Sequence, residues 1–501
     1  MNPKLYELQN GSDIRGIALE GIPEENVNLT PDVARAIGAA FAQILSFKVG
    51  KNAFDLNIVV GRDPRLSGDE LAREFMAGAA YLGAHVYDAG LASTPAMYMA
   101  TVMPYFEFDG AVMVTASHLP WNRNGFKFFT QKGGFEKEDI REVLTYAAYS
   151  QIIPFDYQAE PVNLMEMYAA QLRSMISMGL GEAGIRKPDL KIAVDAGNGS
   201  GGFFAEKVLA PLGFDITPSC YLDPDGRFPN HVPNPEDKAA MASLSARVRE
   251  TGADLGLIFD TDVDRSAAVT SSGKPLARNE IVALAAAIGA DDHPGGTVVT
   301  DSITSNELHT FLEKDLGLHH LRYRRGYRNV INEAIRRRDE GEDAFLAIET
   351  SGHAAYSDNF FLDDGAFLAV QIVIQAAILK QQGKGIEALI DGLESPAEAE
   401  EFRLKLTGEN FAEDGDLILE SLKAWAEKEE ALSLEEPNYE GVRVNFDLEG
   451  CCGWFLLRKS LHDPVMPLNV ESEKEGGVEK CRHLLCDFFR GSEGIDATPL
   501  D

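Results

Sequence analysis

The sequence predicts an α/β fold of three similar α/β domains followed by a smaller α+β domain, and three observations predict it. Apolar runs typical of buried strands alternate with helical patterns through three successive segments. Each of these segments ends a strand in a loop rich in charged or hydroxyl side chains. In the last part of the chain, shorter strands flanked by helices replace the alternation. We therefore expect four domains, over residues 1–155, 156–267, 268–385 and 386–501.

Length and composition are those of a folded protein of several domains. The chain has 501 residues, of which 45% are hydrophobic, and at about 100–200 residues per domain it should hold three to five domains. No apolar run approaches the roughly 18 residues that suggest a membrane span, and the opening Met1-Asn2-Pro3-Lys4 has no signal-peptide pattern. The five cysteines are odd in number and lack zinc-ligand spacing, which is typical of reduced thiols. We expect a cytoplasmic protein.

The formal net charge of −33 limits the possible partners. Such a surface repels nucleic acid and anionic membranes, so we expect neither as a partner. An anionic substrate would need a local cluster of cations to overcome this field. Groups of arginine and lysine are therefore informative in this chain.

The first segment begins with a glycine-bracketed loop, Gly11 to Gly16, that contains Arg15. Alternating strands and helices then predict a parallel sheet, in which functional groups collect at the carboxyl ends of the strands. The predicted elements are the strand 56–60, the loop 61–68, the helix 69–82, the strand 84–87, a helix after Pro95 and a strand that leads to Ser117.

The stretch from Val112 to Lys127 places a hydroxyl at the end of a buried strand. Ser117 has the imidazole of His118 beside it and the ammonium of Lys127 nearby, and Asn124-Gly125 is a strong turn signal. A nucleophile could be presented in this way. An ordinary strand end stays open on these residues alone, because a Ser-His pair is a weak motif without its context.

The second segment opens with the strand 190–195 and the glycine-rich loop 196–202. The loop could cradle a phosphate through backbone N–H groups, but it lacks the Gly-Lys-Ser/Thr ending of a P-loop. Close packing of strand on helix is the favoured interpretation. A stiff loop, 228–235, and a helix, 237–251, precede the strand 255–259.

An acidic loop, Asp260-Thr261-Asp262-Val263-Asp264-Arg265, follows that strand. Three carboxylates at the exit of a buried strand are unfavourable unless a cation binds them, and Mg²⁺ held by carboxylates and a phosphate oxygen is the simplest interpretation. A solvated acidic loop is one alternative. An aspartyl phosphatase, with Asp260 as nucleophile and Asp262 as acid/base, is another. An EF-hand fails, because Arg265 and Ser271 stand where it needs Gly and Glu.

The third segment carries a cationic cluster and a polar strand end. Its predicted elements are the helix 279–289, the strand 296–300, the helix 305–316, the strand 344–348 and an amphipathic helix 366–381 opened by Asp363-Asp364-Gly365. The cluster 322–330, which includes Arg328, either binds an anion or forms an exposed basic face. The strand end Glu349-Thr350-Ser351-Gly352-His353 offers small hydrogen-bonding side chains suited to sugar hydroxyls.

The fourth segment follows a polar stretch near 384–400. We predict the helix 415–429, the strands 441–446, 453–457 and 468–470, and the helix 477–490. The loop from Arg458 to Pro464 places two cations next to Ser460, which suits a phosphate group. An isolated Arg-Lys-Ser is common, so this loop alone is a weak signal.

With these loops in order, the chain resembles the α-D-phosphohexomutase family over nearly its whole length. That family includes phosphoglucomutases, phosphomannomutases and phosphoglucosamine mutases. Its serine, metal, sugar-recognition and phosphate loops are similar to residues 115–120, 260–265, 349–353 and 458–464. The resemblance implies four domains around a central cleft. It also implies a phosphohexomutase that interconverts hexose 1-phosphate and hexose 6-phosphate of glucose, mannose or both.

The resemblance assigns roles to named residues. Ser117 becomes the phosphoserine. The catalytic residues are Ser117, His118, Lys127, Arg15 and Arg265. The substrate-binding residues are Glu349, Ser351, His353, Arg328, Arg458 and Ser460. The ligands of one Mg²⁺ per chain are Ser117, Asp260, Asp262 and Asp264. The expected partners are hexose phosphates, with a hexose 1,6-bisphosphate as activator, in a monomer or small homo-oligomer.

Several positions depart from the family pattern, namely Leu119, Thr261, Val263, Arg328 and 462–464. The nucleophile and ligand positions are retained, so these departures bear on specificity. Two further functions stay open. One is a synthase that releases hexose 1,6-bisphosphate, and the other is a regulator that binds sugar phosphates without turnover.

Overall fold

The computed structural model describes residues 3–106, 108–150, 153–408, 410–460, 464–490, 492 and 494–500, without the side chains of residues 3 and 4. The chain forms two compact units. The first is Met1–Ile281 with Ser351–Leu389, and the second is Val282–Thr350 with Ile390–Asp501. Among the described residues, no helix combines the length and apolar character needed to cross a bilayer.

The first sheet lies in the first unit and is mixed rather than parallel. Its strands are β1 (Gln9–Asn10), β2 (Asp13–Ile17), β3 (Asn57–Arg62), β4 (His85–Leu91), β5 (Gly110–Val114), β6 (Arg123–Thr130), β7 (Gly133–Gly134) and β8 (Glu160–Pro161). The order is β1-β2-β6-β5-β3-β4-β8, with β7 on β6. The pairs β5–β3, β3–β4 and β4–β8 are parallel, whereas β6 runs antiparallel to both β5 and β2. The helices are α1 (Pro31–Val49), α2 (Gly68–Tyr81), α3 (Thr94–Val102) and α4 (Lys137–Tyr149).

A cluster of phenylalanine rings fills the core of this first domain. Phe41 stacks on Phe128 with ring centroids 4.9 Å apart, and Phe75 stacks on Phe126 at 5.1 Å. All five residues of β5 are buried. The strand that leads to Ser117 is therefore a rigid support, because core side chains are closely packed.

The prediction of a turn at Asn124-Gly125 is wrong, because both residues lie inside β6. Gly125 faces β2 so closely that an added Cβ would lie 2.0 Å from the carbonyl oxygen of Ile14. The glycine here serves a close approach of two backbones rather than a turn.

The second domain also belongs to the first unit. It contains α5 (Leu164–Glu182), β9 (Ile192–Asp195), α6 (Lys238–Thr251), β10 (Leu255–Phe259), β11 (Ser266–Thr270) and β12 (Pro275–Leu276). The sheet order is β12-β11-β10-β9, and β9 pairs parallel to β10. In the glycine-rich loop, a Cβ at Gly202 would lie 2.2 Å from the carbonyl oxygen of Leu222, which supports the packing interpretation.

The third segment contributes to both units, and the chain passes from the first to the second within α7. Its elements are α7 (Asn279–Gly289), β13 (Thr297–Asp301), α8 (Asn306–Thr310), β14 (His319–Tyr323), α9 (Tyr327–Asp339), β15 (Ala344–Ile348), β16 (Ala354–Tyr356), β17 (Leu362–Asp363) and α10 (Gly365–Gln381). In the second unit, β13 lies between β14 and β15 and is parallel to both. The predicted helix 305–316 is divided, since α8 is followed by a π-helical turn, Phe311–Asp315. The helix α10 is buried along most of its surface, so its prediction as amphipathic is wrong.

The fourth segment lies in the second unit and forms an antiparallel sheet of order β19-β20-β21-β22-β18-β23. Its elements are β18 (Glu398–Leu406), α11 (Phe411–Ala426), β19 (Leu432–Leu434), β20 (Val442–Leu448), β21 (Cys451–Leu457), β22 (Val465–Ser472), α12 (Gly477–Phe489) and β23 (Ile495–Asp496). We missed β18 in the sequence, because five of its nine residues are Glu, Lys or Arg. The predicted fold class of three α/β domains and a C-terminal α+β domain is confirmed.

Candidate active site

Ser117 follows β5 in an unusual backbone conformation. Its φ angle is 50°, in the left-handed region that side chains other than glycine rarely adopt. Its N–H donates to the hydroxyl oxygen of Thr115 at 2.8 Å. Ser117 is buried, with 6% of the residue exposed. The serine is therefore held by its surroundings at the end of the strand.

The acidic triad, Asp260, Asp262 and Asp264, follows β10. One carboxylate oxygen from each lies within 4.8 Å of those of the other two, and all three side chains are buried. The peptide around Asp262 is fixed by Thr94, whose N–H donates to the Asp262 carbonyl oxygen at 2.8 Å and whose hydroxyl donates to its carboxylate at 2.5 Å. The loop turns at Val263, where φ is 69°.

Ser117 and the acidic triad meet although they are far apart in the sequence. The Ser117 hydroxyl donates to Asp260 Oδ2 at 2.9 Å. Arg265 Nη2 donates to Ser117 Oγ and to Asp260 Oδ2, both at 3.1 Å. One serine oxygen therefore lies between a carboxylate and a guanidinium, inside the first unit.

Two more predicted cations lie close to these groups. Lys127 Nζ is 3.2 Å from Asp262 Oδ2 and also contacts Asp264. Arg15 donates to the carbonyl oxygen of Thr115 at 2.9 Å and pairs with Asp13 at 2.8 Å. Lys127 thus contacts the triad directly, whereas Arg15 contacts the backbone just before Ser117.

Burial and neighbouring charges shift the pKa values of the three triad carboxyls in different directions. Burial raises the pKa of Asp260 well above its usual range, and the charges of Asp264 and Asp262 add to this. Burial is the largest influence on the other two carboxyls and by itself would raise both pKa values. The charge of Lys127, acting together with the hydrogen bonds of Thr94 to Asp262 and of His353 to Asp264, lowers both. Burial alone would lower the pKa of Lys127, yet the carboxylates of Asp262 and Asp264 hold it well above its ordinary value.

His118 is neutral in this arrangement. Burial, followed by the charge of Arg265, lowers the pKa of His118 to about 3. His118 Nδ1 is 2.7 Å from Arg265 Nη2. Because a guanidinium only donates, Nδ1 accepts this bond and the ring proton is assigned to Nε2.

Ser351 and His353 lie in the same unit as Ser117. His353 Nε2 is 3.6 Å from Asp264 Oδ1. Its Nδ1 is 2.9 Å from the hydroxyl oxygen of Ser351. The backbone of His353 forms an isolated antiparallel bridge with that of Arg265. The structure therefore groups these two predicted sugar-binding residues with the acidic loop.

The remaining predicted substrate-binding residues lie in the second unit. Glu349 accepts a hydrogen bond from the N–H of Gly326 at 2.7 Å, at the start of the helix that carries Arg328. Arg458 is 93% buried, with 7% of the residue exposed, and its Nε has no hydrogen-bond partner among the described residues. The N–H of Ser460 donates to the carbonyl oxygen of Val465 at 2.9 Å. Residues 461–463 of this loop, including the departures at His462 and Asp463, lie outside the described residues.

Sequence reasoning missed a buried arginine beside Ser117. Arg65 donates to the carbonyl oxygens of Ser117 and Leu119 at 2.5 and 2.6 Å. Asp63 accepts from Arg65 Nε at 3.2 Å. The available signal was a pair of opposite charges directly after a buried strand, in the stretch Gly61 to Gly68. Arg65 binds backbone oxygens, which the sequence does not distinguish.

The acidic triad fits a hard divalent cation. It offers carboxylate oxygens only, which Mg²⁺ and Ca²⁺ prefer. Asp262 Oδ1 is buried and has no hydrogen-bond partner among the described residues. A buried carboxylate oxygen without a partner is unfavourable unless a cation binds it. The triad could therefore bind a metal ion.

Comparison with protein-family models decides the family. Three models of phosphoglucomutase/phosphomannomutase, described as alpha/beta/alpha domains I, II and III, match residues 7–150, 166–273 and 277–396. The chain belongs to the phosphoglucomutase/phosphomannomutase family. The resemblance predicted from the four loops is thereby confirmed.

Individual members of the family are similar over nearly the whole chain. A phosphomannomutase/phosphoglucomutase of Pseudomonas syringae is 31% identical over 468 residues, which cover 93% of this chain and 92% of that protein. A phosphoglucomutase of Neisseria gonorrhoeae is 30% identical, with 94% of each chain covered. The crystal structure of a phosphoglucomutase/phosphomannomutase family protein from Burkholderia thailandensis superposes with a TM-score of 0.77 at 26% identity, covering 97% of this chain and 98% of the other.

Proposed function

We propose that this protein is a hexose-phosphate mutase that interconverts hexose 1-phosphate and hexose 6-phosphate of glucose, mannose or both. Ser117 carries the phosphoryl group. The observation that carries the proposal is the position of Ser117 Oγ, 2.9 Å from Asp260 and 3.1 Å from Arg265, at the edge of the acidic triad. The mutases among the relatives support the same reaction.

The acidic triad and the phosphorylated Ser117 would together hold one Mg²⁺ per chain. Such an ion neutralises charge on a transferring phosphoryl group. The chain's own contribution is to fix the carboxylates before substrate arrives, through Thr94 on Asp262 and Lys127 on Asp262 and Asp264.

The reaction moves one phosphoryl group in each direction. In the first half, the bond between phosphorus and Ser117 Oγ breaks while a bond to a hexose hydroxyl oxygen forms, and the hydroxyl proton passes to a base. The bound product is a hexose 1,6-bisphosphate. In the second half, the other phosphate returns to Ser117 and the proton returns to the released hydroxyl. Catalysis of this kind depends on positioning and charge neutralisation.

The first unit supplies candidates for each part of this chemistry. Arg265 donates to the serine oxygen and would stabilise charge on the transferring group, and Arg15, which bonds to the Thr115 carbonyl oxygen, is the second candidate for this role. His118 and Lys127 are the candidates for the base that accepts the hydroxyl proton. Neither is a free base in this arrangement, because Lys127 is held as an ammonium by the triad and the one lone pair of neutral His118, on Nδ1, accepts from Arg265.

Recognition of the substrate is assigned to two sets of residues. Glu349, Ser351 and His353 would bind sugar hydroxyls. Arg458 and Ser460 would bind the phosphate that does not react, with Arg328 as a further cation. The unpartnered Nε of buried Arg458 supports an anion-binding role, since a buried donor without a partner is unfavourable.

The expected partners follow from this function. Hexose phosphates are the substrates, and a hexose 1,6-bisphosphate acts as activator by restoring the phosphate on Ser117. We expect a cytoplasmic monomer or small homo-oligomer without nucleic-acid or membrane partners. The mutases among the relatives do not favour a bisphosphate-releasing synthase or a regulator without turnover.

The intact mass of the protein tests the phosphoserine. Incubation with glucose 1,6-bisphosphate should add one phosphate to the wild type and to Ser421→Ala, a control at an exposed serine, and none to Ser117→Ala. A panel of glucose, mannose and glucosamine phosphates, with and without bisphosphate, would then identify the substrate. No phosphate on wild-type Ser117 under any of these conditions would contradict the proposal.

A further inference from the structure

The backbone after Ser117 is bound by one buried side chain, that of Arg65. Its Nη2 donates to the carbonyl oxygens of Ser117 and Leu119 at 2.5 and 2.6 Å. Its Nη1 donates to those of Pro120 and Arg123 at 2.6 and 2.9 Å. Through these four hydrogen bonds, a single guanidinium binds four of the carbonyl oxygens between Ser117 and Arg123.

Asp63 completes this arrangement. Its Oδ2 accepts the fifth donor of Arg65, Nε, at 3.2 Å, so all five N–H groups of the guanidinium are used. The same oxygen accepts the hydroxyl of Thr115 at 2.6 Å. The Thr115 hydroxyl oxygen in turn accepts the N–H of Ser117 at 2.8 Å. The Asp63 carboxylate therefore connects Thr115, which binds the N–H of Ser117, to Arg65, which binds the carbonyl oxygen of Ser117.

This network encloses the one serine whose conformation is strained. Ser117 has a φ of 50°, and a non-glycine residue persists in the left-handed region only where its surroundings fix it. Both peptide groups of Ser117 are bound by the network, whereas its Oγ bonds to Asp260 and Arg265 outside it. Asp63 and Arg65 are 1% and 2% exposed, so they act without touching solvent.

We infer that Asp63, Arg65 and Thr115 are positioning residues, which hold Ser117 in its left-handed conformation so that Oγ stays between Asp260 and Arg265. The inference rests on the proposed function, because it assigns these residues to the transfer step on Ser117. None of the three donates to Ser117 Oγ. Their loss should therefore slow phosphoryl transfer and leave the affinity for hexose phosphate nearly unchanged.

Arg65→Lys tests the role of the guanidinium. An ammonium has three donors on one nitrogen and cannot reproduce the planar fork that serves four carbonyl oxygens. Arg65→Lys should lower kcat about tenfold to hundredfold, which corresponds to about 1.4–2.7 kcal/mol, with KM for the hexose phosphate changed by less than about twofold. The matched control is Arg35→Lys. Arg35 is also buried in the first domain, but it donates to Asp32 and Glu74.

Thr115 provides a second variant with less risk to folding. Thr115→Val keeps the shape and removes the hydroxyl, so it should lower kcat in the same way. Thr115→Ser keeps the hydroxyl and should restore kcat to within about threefold of the wild type. The rate at which phosphorylated Ser117 loses its phosphate to hexose phosphate, measured by rapid quench and intact mass, should follow kcat in all four variants.

The outcomes separate the two proposals. If the wild type forms no phosphoserine and has no mutase activity, the proposed function fails. If the wild type is active and Arg65→Lys or Thr115→Val retains its kcat, the inference alone is wrong. It is also wrong if Arg35→Lys loses as much kcat as Arg65→Lys at an equal loss of thermal stability, or if Thr115→Ser fails to restore kcat.

Discussion

The raised pKa of Asp364 predicts both the direction and the size of a pH dependence of stability. This carboxyl caps α10, accepts the N–H of Phe367 at 2.8 Å and the hydroxyl of Tyr168 at 2.7 Å to each oxygen, and is fully buried. Burial raises its pKa to about 6, against the lowering effect of the Tyr168 bond. A carboxyl whose folded pKa is raised contributes stability that is present below its unfolded pKa and is lost as pH rises through the folded pKa.

The perturbation is Asp364→Asn, which removes the titration and keeps an oxygen for Phe367 and Tyr168. With pKa values of about 4 unfolded and about 6 folded, at about 1.4 kcal/mol per unit, the wild type should lose about 1.4 kcal/mol from this group between about pH 5 and about pH 8. The variant should lose none of it. Because Asn359 also donates to Asp364, at 3.1 Å, the exchange adds a destabilisation that does not depend on pH.

The assay is urea unfolding of both proteins at the two pH values. The stability of the variant relative to the wild type should rise by about 1.4 kcal/mol from the lower to the higher pH. Asp237→Asn controls for the exchange of a capping carboxylate for an amide, because Asp237 caps α6 through Ala240 at a half-buried position. An equal stability difference between Asp364→Asn and the wild type at both pH values would refute the reasoning.

Three further perturbations follow from contacts in the two units. Gly125→Ala should lower the thermal midpoint strongly or prevent folding, because the added Cβ would lie 2.0 Å from the Ile14 carbonyl oxygen; unchanged thermal unfolding would contradict this. Arg443→Lys should lower the stability of the second unit by about 2–4 kcal/mol, because the guanidinium bonds to Glu435 at 2.8 Å and lies 3.6 Å from the centre of the Trp454 ring. Urea unfolding measures this loss, and a value below about 1 kcal/mol would contradict the prediction. Asp262→Asn should weaken Mg²⁺ binding at least tenfold in calorimetry, since it replaces one of the three carboxylates of the triad with a neutral amide. Equal affinity in both proteins would show that the triad does not bind the ion.

Elements with strong local patterns could be predicted closely from the sequence. The strands 255–259 and 344–348 and the helix 279–289 have the same bounds in the structure. Each of the two strands is a continuous apolar run that a charged residue bounds at either end. The loops around Ser117 and Asp260 were located for the same reason. Their contact joins residues 143 positions apart, and only the order of the family's motifs predicted that they would meet.

The misses have a common physical cause, which is that tertiary contacts outweigh local preference. Asn124-Gly125 has the composition of a turn, but both residues pair with β2, where Gly125 lies opposite Arg15 and too close to the Ile14 carbonyl oxygen for a side chain. The stretch 61–68 that contains Arg65 has the composition of a solvated loop, yet Arg65 is buried and donates to four backbone carbonyl oxygens. Every residue carries a backbone carbonyl group, so no pattern of residue types could predict that Arg65 binds these oxygens.

The balance of charge around Ser117 connects the acidic triad to the proposed substrate. Lys127 and Arg265 supply two positive charges against three carboxylates, so these groups sum to −1 when all are ionised. A phosphate monoester carries a charge of about −1.5 to −2 at neutral pH and would be repelled by such a group. A divalent cation on the triad would reverse the sign of the sum to about +1. Binding of the metal and of the phosphate should then favour each other by the same free energy, as linkage requires. In a chain of net charge −33, the acidic triad would thus favour an anionic substrate only through the cation that it binds.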